Sequence, residues 1–189
     1  MAGVAHELNN PISFVLGNVH ALQRYCVRLR RYLDALTDAL VLRQLQPWHA
    51  NISKRQVRSP KVYVRDTGLL HRLLGIDDNQ ALLSHPKLGA SWEGFVVEQL
   101  LARIDGQDAW FWGTHGGAEI DLVIQRNGRR VGIEVKRTDA PRITPSIRSA
   151  IRDLDLDRVI VAHAGSQRFP IAPNVEAIGA AELLAAGLD

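Results

Sequence analysis

The sequence predicts an α/β sandwich: a mixed β-sheet flanked by helices, preceded by a helical N-terminal extension. Three observations carry this. An Asn127-Gly128 pair sits between two alternating apolar runs. Helical apolar patterns precede and follow that pair. The continuous apolar run at 158–164 reads as a strand buried on both faces.

Taken in order, a helix spans about 4–30 and a second about 31–42. Ile12, Val15, Leu16, Val19 and Leu22 form an apolar stripe at helical spacing on the first. Such a stripe packs on its own domain or pairs with a second copy, giving a homodimer through this helix. A loop with Pro47 and Trp48 leads to a strand near 61–65, then a short helix ending at Gly75. A helix near 88–104 follows, with Phe95, Val96, Leu100 and Ile104 at helical spacing and Glu93 near its start. Strands are predicted at 109–113, 119–126 and 129–136, then a helix at 145–153 that crosses over to 158–164. Val175 to Ile178 adds an edge strand, and a helix over 179–188 closes the chain. The organisation is a helical segment (1–36), a basic linker with helical character (37–84) and the α/β domain (85–189).

The hairpin carries the chemistry. Asn-Gly favours a two-residue type I′ turn, because both central residues need positive φ. Arg126 then faces Arg129, Val123 faces Gly132, Asp121 faces Glu134 and Glu119 faces Lys136. Side chains alternate with period 2, so Ile120, Leu122, Ile124, Val131, Ile133 and Val135 line one face and the charges line the other. Like charges placed directly opposite destabilise a strand pair. Asp121 against Glu134 therefore needs a cation, a shared proton or Lys136. Two readings stand. One is a solvated charge face with a Glu119–Lys136 pair. The other is a divalent metal site, since Mg²⁺ is commonly held by one or two carboxylates plus water. For Glu93 the alternatives are a site residue and a first-turn acid favoured by the helix dipole.

Composition narrows the class. The chain has 189 residues, room for one substantial domain and a smaller appendage. A lone cysteine, Cys26, excludes an internal disulfide and a zinc–thiolate cluster. The chain has no run of 18 apolar residues and no secretory pattern, which predicts a cytoplasmic protein with no membrane partner. The formal net charge is +3, unevenly placed. Residues 20–72 hold eleven Lys/Arg against three Asp, whereas 73–189 hold twelve against sixteen Asp/Glu. Such asymmetry marks a nucleic-acid surface or an arginine-rich chain with chance clusters. Lys54, Arg55, Arg58, Lys61 and Arg65 form the densest part, with Tyr63 available to stack.

The residues also carry resemblances. "EIDLVI" followed by "GIEVK" resembles the PD-(D/E)XK nuclease core. That resemblance implies a restriction-endonuclease-like fold. It implies Asp121, Glu134 and Glu93 as Mg²⁺ or Mn²⁺ ligands, Lys136 as the water or charge positioner, and phosphodiester hydrolysis of DNA. From about residue 32 onward, "SPKVYVRDTGLLHRLLGI", "HPKLGASWEGFVVEQLL" and "FWGTHGGAEIDLVI" resemble the C-terminal domain of unknown function 4143 of prokaryotic AAA-type ATPases. No phosphate-cradling G-x-x-x-x-G-K-[ST] is present, so no ATP site is expected here. The resemblance leaves a second role open, a non-catalytic module that binds or regulates an ATPase in trans. Finally, "VAHELNNPISFVLGNVHALQRY" resembles the phosphoacceptor box of sensor histidine kinases over residues 1–35. There His6 would be the phosphorylated residue and a kinase would act in trans.

Overall fold

A computed structural model describes residues 2–50, 53–104 and 108–188, apart from the side chains of residues 2–14, 16 and 17. The chain divides into two compact units, Met1–Leu42 and Arg43–Asp189. The first is one helix, α1 (Ala2–Asp38), where two were expected. No glycine or proline interrupts residues 20–38, so nothing stops the helix near residue 31. It closes where Leu40 turns left-handed (φ 59°) and Val41 N donates to Leu36 O at 2.9 Å.

The second unit opens with a small two-stranded sheet, β1 (Leu42–Leu45) and β2 (Lys61–Val64). Helices α2 (Thr67–Leu73) and α3 (Asn79–Ser84) follow, each started by an aspartate. Asp66 and Asp78 accept from backbone N–H groups three residues on, satisfying donors a helix start leaves open. Helix α4 (Leu88–Arg103) then buries Val96, Val97, Leu100 and Leu101. Phe95 lies instead on the exposed side, stacked on Trp92 at 6.2 Å.

Six strands form the main sheet in the order β3-β4-β5-β6-β8-β7. β3 (Ala109–Gly113), β4 (Glu119–Arg126) and β5 (Arg129–Lys136) are an antiparallel meander. The turn is left-handed at both Asn127 (φ 53°) and Gly128 (φ 75°), and the expected register holds from Leu122–Ile133 to Arg126–Arg129. α5 (Pro145–Leu154) crosses over to β6 (Arg158–His163), which runs parallel to β5. β7 (Phe169–Ala172) was not anticipated, and it corrects the place of β8 (Val175–Gly179), which is interior. The edge falls to β7, whose Pro170 lacks the donor that an interior strand needs. α6 (Ala180–Ala186) completes the unit. The architecture is the expected mixed α/β sheet with flanking helices and a helical N-terminus.

Both faces of the sheet are covered. Leu122, Ile124, Ile133 and Val135 pack with the α4 residues and Leu183 in one layer. Trp112, Val123, Val159 and Val161 pack with Ile147, Ala150 and Leu154 of α5 in the other. Ile120 belongs to this second layer, not with Leu122 as alternation predicted. The register of β3 on β4 shifts between Trp110 and Trp112, and the break in alternation falls beside Asp121.

Candidate active site

Four carboxylates from three elements meet two lysines at one end of the β4–β5 pair. Asp121 and Glu134 are buried, at 6% and 5% exposure, so the solvated charge face is excluded. Asp121 Oδ2 accepts from Val135 N–H at 2.9 Å, which ties its carboxylate to the neighbouring strand. Asp121 Oδ1 is 2.9 Å from Lys61 Nζ. Lys61 also lies 3.0 Å from Glu93 Oε1, pairs with Glu119, and sits 5.6 Å from the Phe111 ring centroid. Tyr63 Oη donates to the same Glu93 oxygen at 2.7 Å. Lys136 Nζ contacts Glu134 Oε1 at 2.6 Å. Glu134 Oε2 is buried and has no hydrogen-bond partner among the described residues.

Electrostatics follow from this packing. Burial, and then the Asp121 charge, push the Glu134 carboxyl up to about 7, against the pull of Lys136 and Lys61. Burial opposes the charge on Lys61, but Asp121, Glu93 and Glu119 outweigh it and hold the ammonium firmly protonated. Lys136 is likewise held above its ordinary value, its Glu134 partner outweighing the effect of burial. With all six groups ionised, four carboxylates face two ammonium groups, an excess of two negative charges.

The sequence-predicted residues divide as follows. Asp121 and Glu93 share Lys61, and the Glu134–Lys136 pair lies close enough to interact electrostatically with them. Glu93 is no first-turn acid: α4 begins at Leu88 and its first turn holds no acidic residue. Its oxygen is engaged by Lys61 and Tyr63, so Tyr63 points inward rather than offering a stacking face. Lys61 and Arg65 depart from the basic surface, Lys61 into the acid cluster and Arg65 onto buried Glu98 at 2.9 Å, beside Arg43. Lys54 pairs with Asp153 at 2.6 Å. Arg55 and Arg58 have no ion-pair partner among the described residues. With His49, Lys54, Ser59 and His115 they line an open groove of about 570 Å³. The segment is fixed to β3: Val57 N donates to Gly113 O, and His115 N to Arg55 O, both at 2.9 Å. Gln56 bonds both the N–H and the carbonyl of Ala50 and accepts from Trp112 Nε1. His115 lies in the connection from β3 to Glu119, so groove and acid cluster share one loop. The side chain of His6 lies outside the described residues.

Lys61 and Tyr63, expected on a basic, nucleic-acid-facing surface, instead join the acid cluster. The signal was their period-2 spacing on β2, but only the fold brings the Lys61 ammonium to Asp121 and Glu119. Among the described residues no group of three His, Cys, Asp or Glu is disposed to hold a metal, and no helix is long and apolar enough to cross a membrane.

The model of the domain of unknown function DUF4143 matches residues 88–183, and that of the domain of unknown function DUF8612 matches residues 18–80. Uncharacterized protein Mb2031c of Mycobacterium bovis and Uncharacterized protein Rv2008c of Mycobacterium tuberculosis are each 58% identical to the chain over 158 residues. That stretch is 84% of this chain and 36% of each relative. No solved structure matches the chain.

Proposed function

The chain belongs to the DUF4143 family, and from that premise we propose that its α/β unit is a metal-dependent nuclease domain that hydrolyses DNA phosphodiesters. One observation carries this reading: Glu134 Oε2, buried and unpartnered, beside Asp121 in a cluster with excess negative charge. A buried carboxylate oxygen without a donor is costly unless a cation or a proton meets it. The donor set fits a hard cation, since Mg²⁺ is held by one or two carboxylates with water completing its shell. Asp121 and Glu134 would hold Mg²⁺ or Mn²⁺, with Glu93 as a further acidic neighbour. A bound divalent ion supplies an activated water and neutralises charge on the phosphoryl group. Lys136 keeps a positive charge at the edge of the site, half exposed, where negative charge develops on a phosphodiester. The groove with Arg55 and Arg58 offers the DNA backbone its counter-charges.

A second reading, a non-catalytic module serving an ATPase, is favoured by a different observation. Lys61 already pairs with Asp121, Glu93 and Glu119. Carboxylates held by the protein's own lysine depend less on a metal for their stability. The chain spans 36% of the length of its two curated relatives, and an ATPase module is proposed for the remainder of such proteins.

Nicking of supercoiled plasmid separates the two. Wild type should nick with Mn²⁺ or Mg²⁺ and not in EDTA. Asp121→Asn should abolish nicking, and Lys136→Ala should slow it by ~10²–10³ while leaving DNA binding intact. DNA binding without cleavage in any divalent metal would reject the nuclease and leave the binding module.

A further inference from the structure

Lys61 is the residue that the metal-site pattern leaves unexplained. It comes from β2, outside the main sheet, yet its ammonium sits among Asp121, Glu93 and Glu119. The side chain is only 20% exposed, and an ammonium is a compact, strongly hydrated charge that is costly to bury alone. Three carboxylates are what holds it there. Its position has a sharper consequence at Asp121. Oδ2 of that residue already accepts from the Val135 N–H, so Oδ1 is the less engaged by the backbone and the better placed for a cation, and Lys61 Nζ is already 2.9 Å from it. Two cations at hydrogen-bonding distance from one oxygen repel each other strongly in a half-buried site.

Resting on the metal reading above, we propose that Lys61 sets the metal affinity of the site: its ammonium and a divalent cation compete for Asp121 Oδ1. The ion enters as Lys61 withdraws, and Lys61 sets the affinity at which that happens. The proposal separates two roles for lysine in one cluster. Lys136 pairs with the Glu134 oxygen opposite the unpartnered one and is compatible with a bound ion. Lys61 holds the oxygen that an ion needs.

The test measures Mn²⁺ affinity and lysine reactivity rather than cleavage. Mn²⁺ binding is followed by calorimetry for wild type, Lys61→Met, Lys61→Arg and Asp121→Asn. Lys61→Met should bind about tenfold or more tightly than wild type, since a unit charge is removed from beside the ion. Lys61→Arg, which keeps the charge, should not. A merely structural Lys61 would lower the melting temperature of Lys61→Met without raising its affinity for Mn²⁺. Wild type provides an arm that needs no variant. Acetylation of Lys61 by an amine-reactive ester, read by mass spectrometry, should rise saturably with Mn²⁺, while exposed Lys87 stays constant. If Lys61→Met does not fold, this arm decides alone. The inference is overturned if wild type binds Mn²⁺ in an Asp121-dependent way, yet Lys61→Met binds no tighter or Lys61 stays protected. Absence of Asp121-dependent Mn²⁺ binding in wild type and Lys61→Met alike would overturn the metal reading and, with it, this inference.

Discussion

At the scale of single residues, Glu134 is where the local chemistry is most uneven. One of its oxygens has a lysine at 2.6 Å and the other has no partner among the described residues. Burial and the neighbouring Asp121 raise its carboxyl from the ordinary 4.5 to about 7. The folded state thus holds this proton more tightly than the unfolded chain does. Between about pH 4.5 and 7 the native form carries more protons, so this residue makes stability fall as pH rises. Above that window the loss is complete. In metal-free buffer, Glu134→Gln should therefore flatten the melting profile between pH 5 and 8. The effect should amount to several degrees, since ~1 kcal/mol moves the midpoint by ~2–4 °C in a chain of this size. Thermal melts in EDTA at successive pH values decide it, and parallel profiles for wild type and variant would sink the assignment.

Among the elements, the end of β8 shows how closely backbone segments can approach. A Cβ on Gly179 would stand 2.5 Å from the Gly165 carbonyl oxygen and 3.1 Å from Ser166 Cα. Both neighbours are backbone atoms that cannot rotate away. Gly179→Ala should cost ~1–3 kcal/mol or more, as overpacking does in close-packed interiors. Gly89 in α4 is the control: nothing lies within 4 Å of its Cβ position, and alanine there should be neutral or raise stability by up to ~1 kcal/mol. Urea denaturation of both variants checks this, and equal midpoints would remove the close-approach argument. The same strand shows why an edge was expected in the wrong place. Phe169–Ala172 is four residues long with a proline inside, too short and too interrupted for alternation to announce a strand.

Across the second unit, most of the basic residues between 43 and 72 pair with acids supplied from later in the chain. Arg43 and Arg65 converge on Glu98, Lys61 on Glu93, Glu119 and Asp121, and Lys54 on Asp153. Arg55 and Arg58 remain in the groove without an ion-pair partner among the described residues. If that groove takes nucleic-acid phosphates, Arg55→Ala with Arg58→Ala should lower the log–log salt slope of duplex binding by ~1.8, about 0.9 for each phosphate no longer neutralised. Lys61→Met should leave that slope unchanged, because Lys61 faces the carboxylates. Fluorescence anisotropy across a range of salt concentrations measures both slopes. A slope unmoved by the double substitution would take the groove out of the nucleic-acid reading.

The sequence by itself determined the β4–β5 hairpin, its register from Leu122 to Arg126, the α4 and α5 helices and the convergence of Asp121, Glu134 and Lys136. These features are local: a turn type follows from two residues, and period 2 follows from the pleat. Even there alternation failed at Ile120, because the shift against β3 is a property of the pairing and not of either strand alone. Only the tertiary structure decided the fate of Lys61, Arg65 and Tyr63. In the sequence they read as a basic, aromatic surface. In the fold, β2 and the residue that follows it carry them to acids 30 to 60 positions away. Charge patterning counts residues along the chain, whereas electrostatic energy depends on distances in space. Burial then raises the stakes of each pairing, so the residue that best explains the candidate site is the one whose partners the sequence could not place.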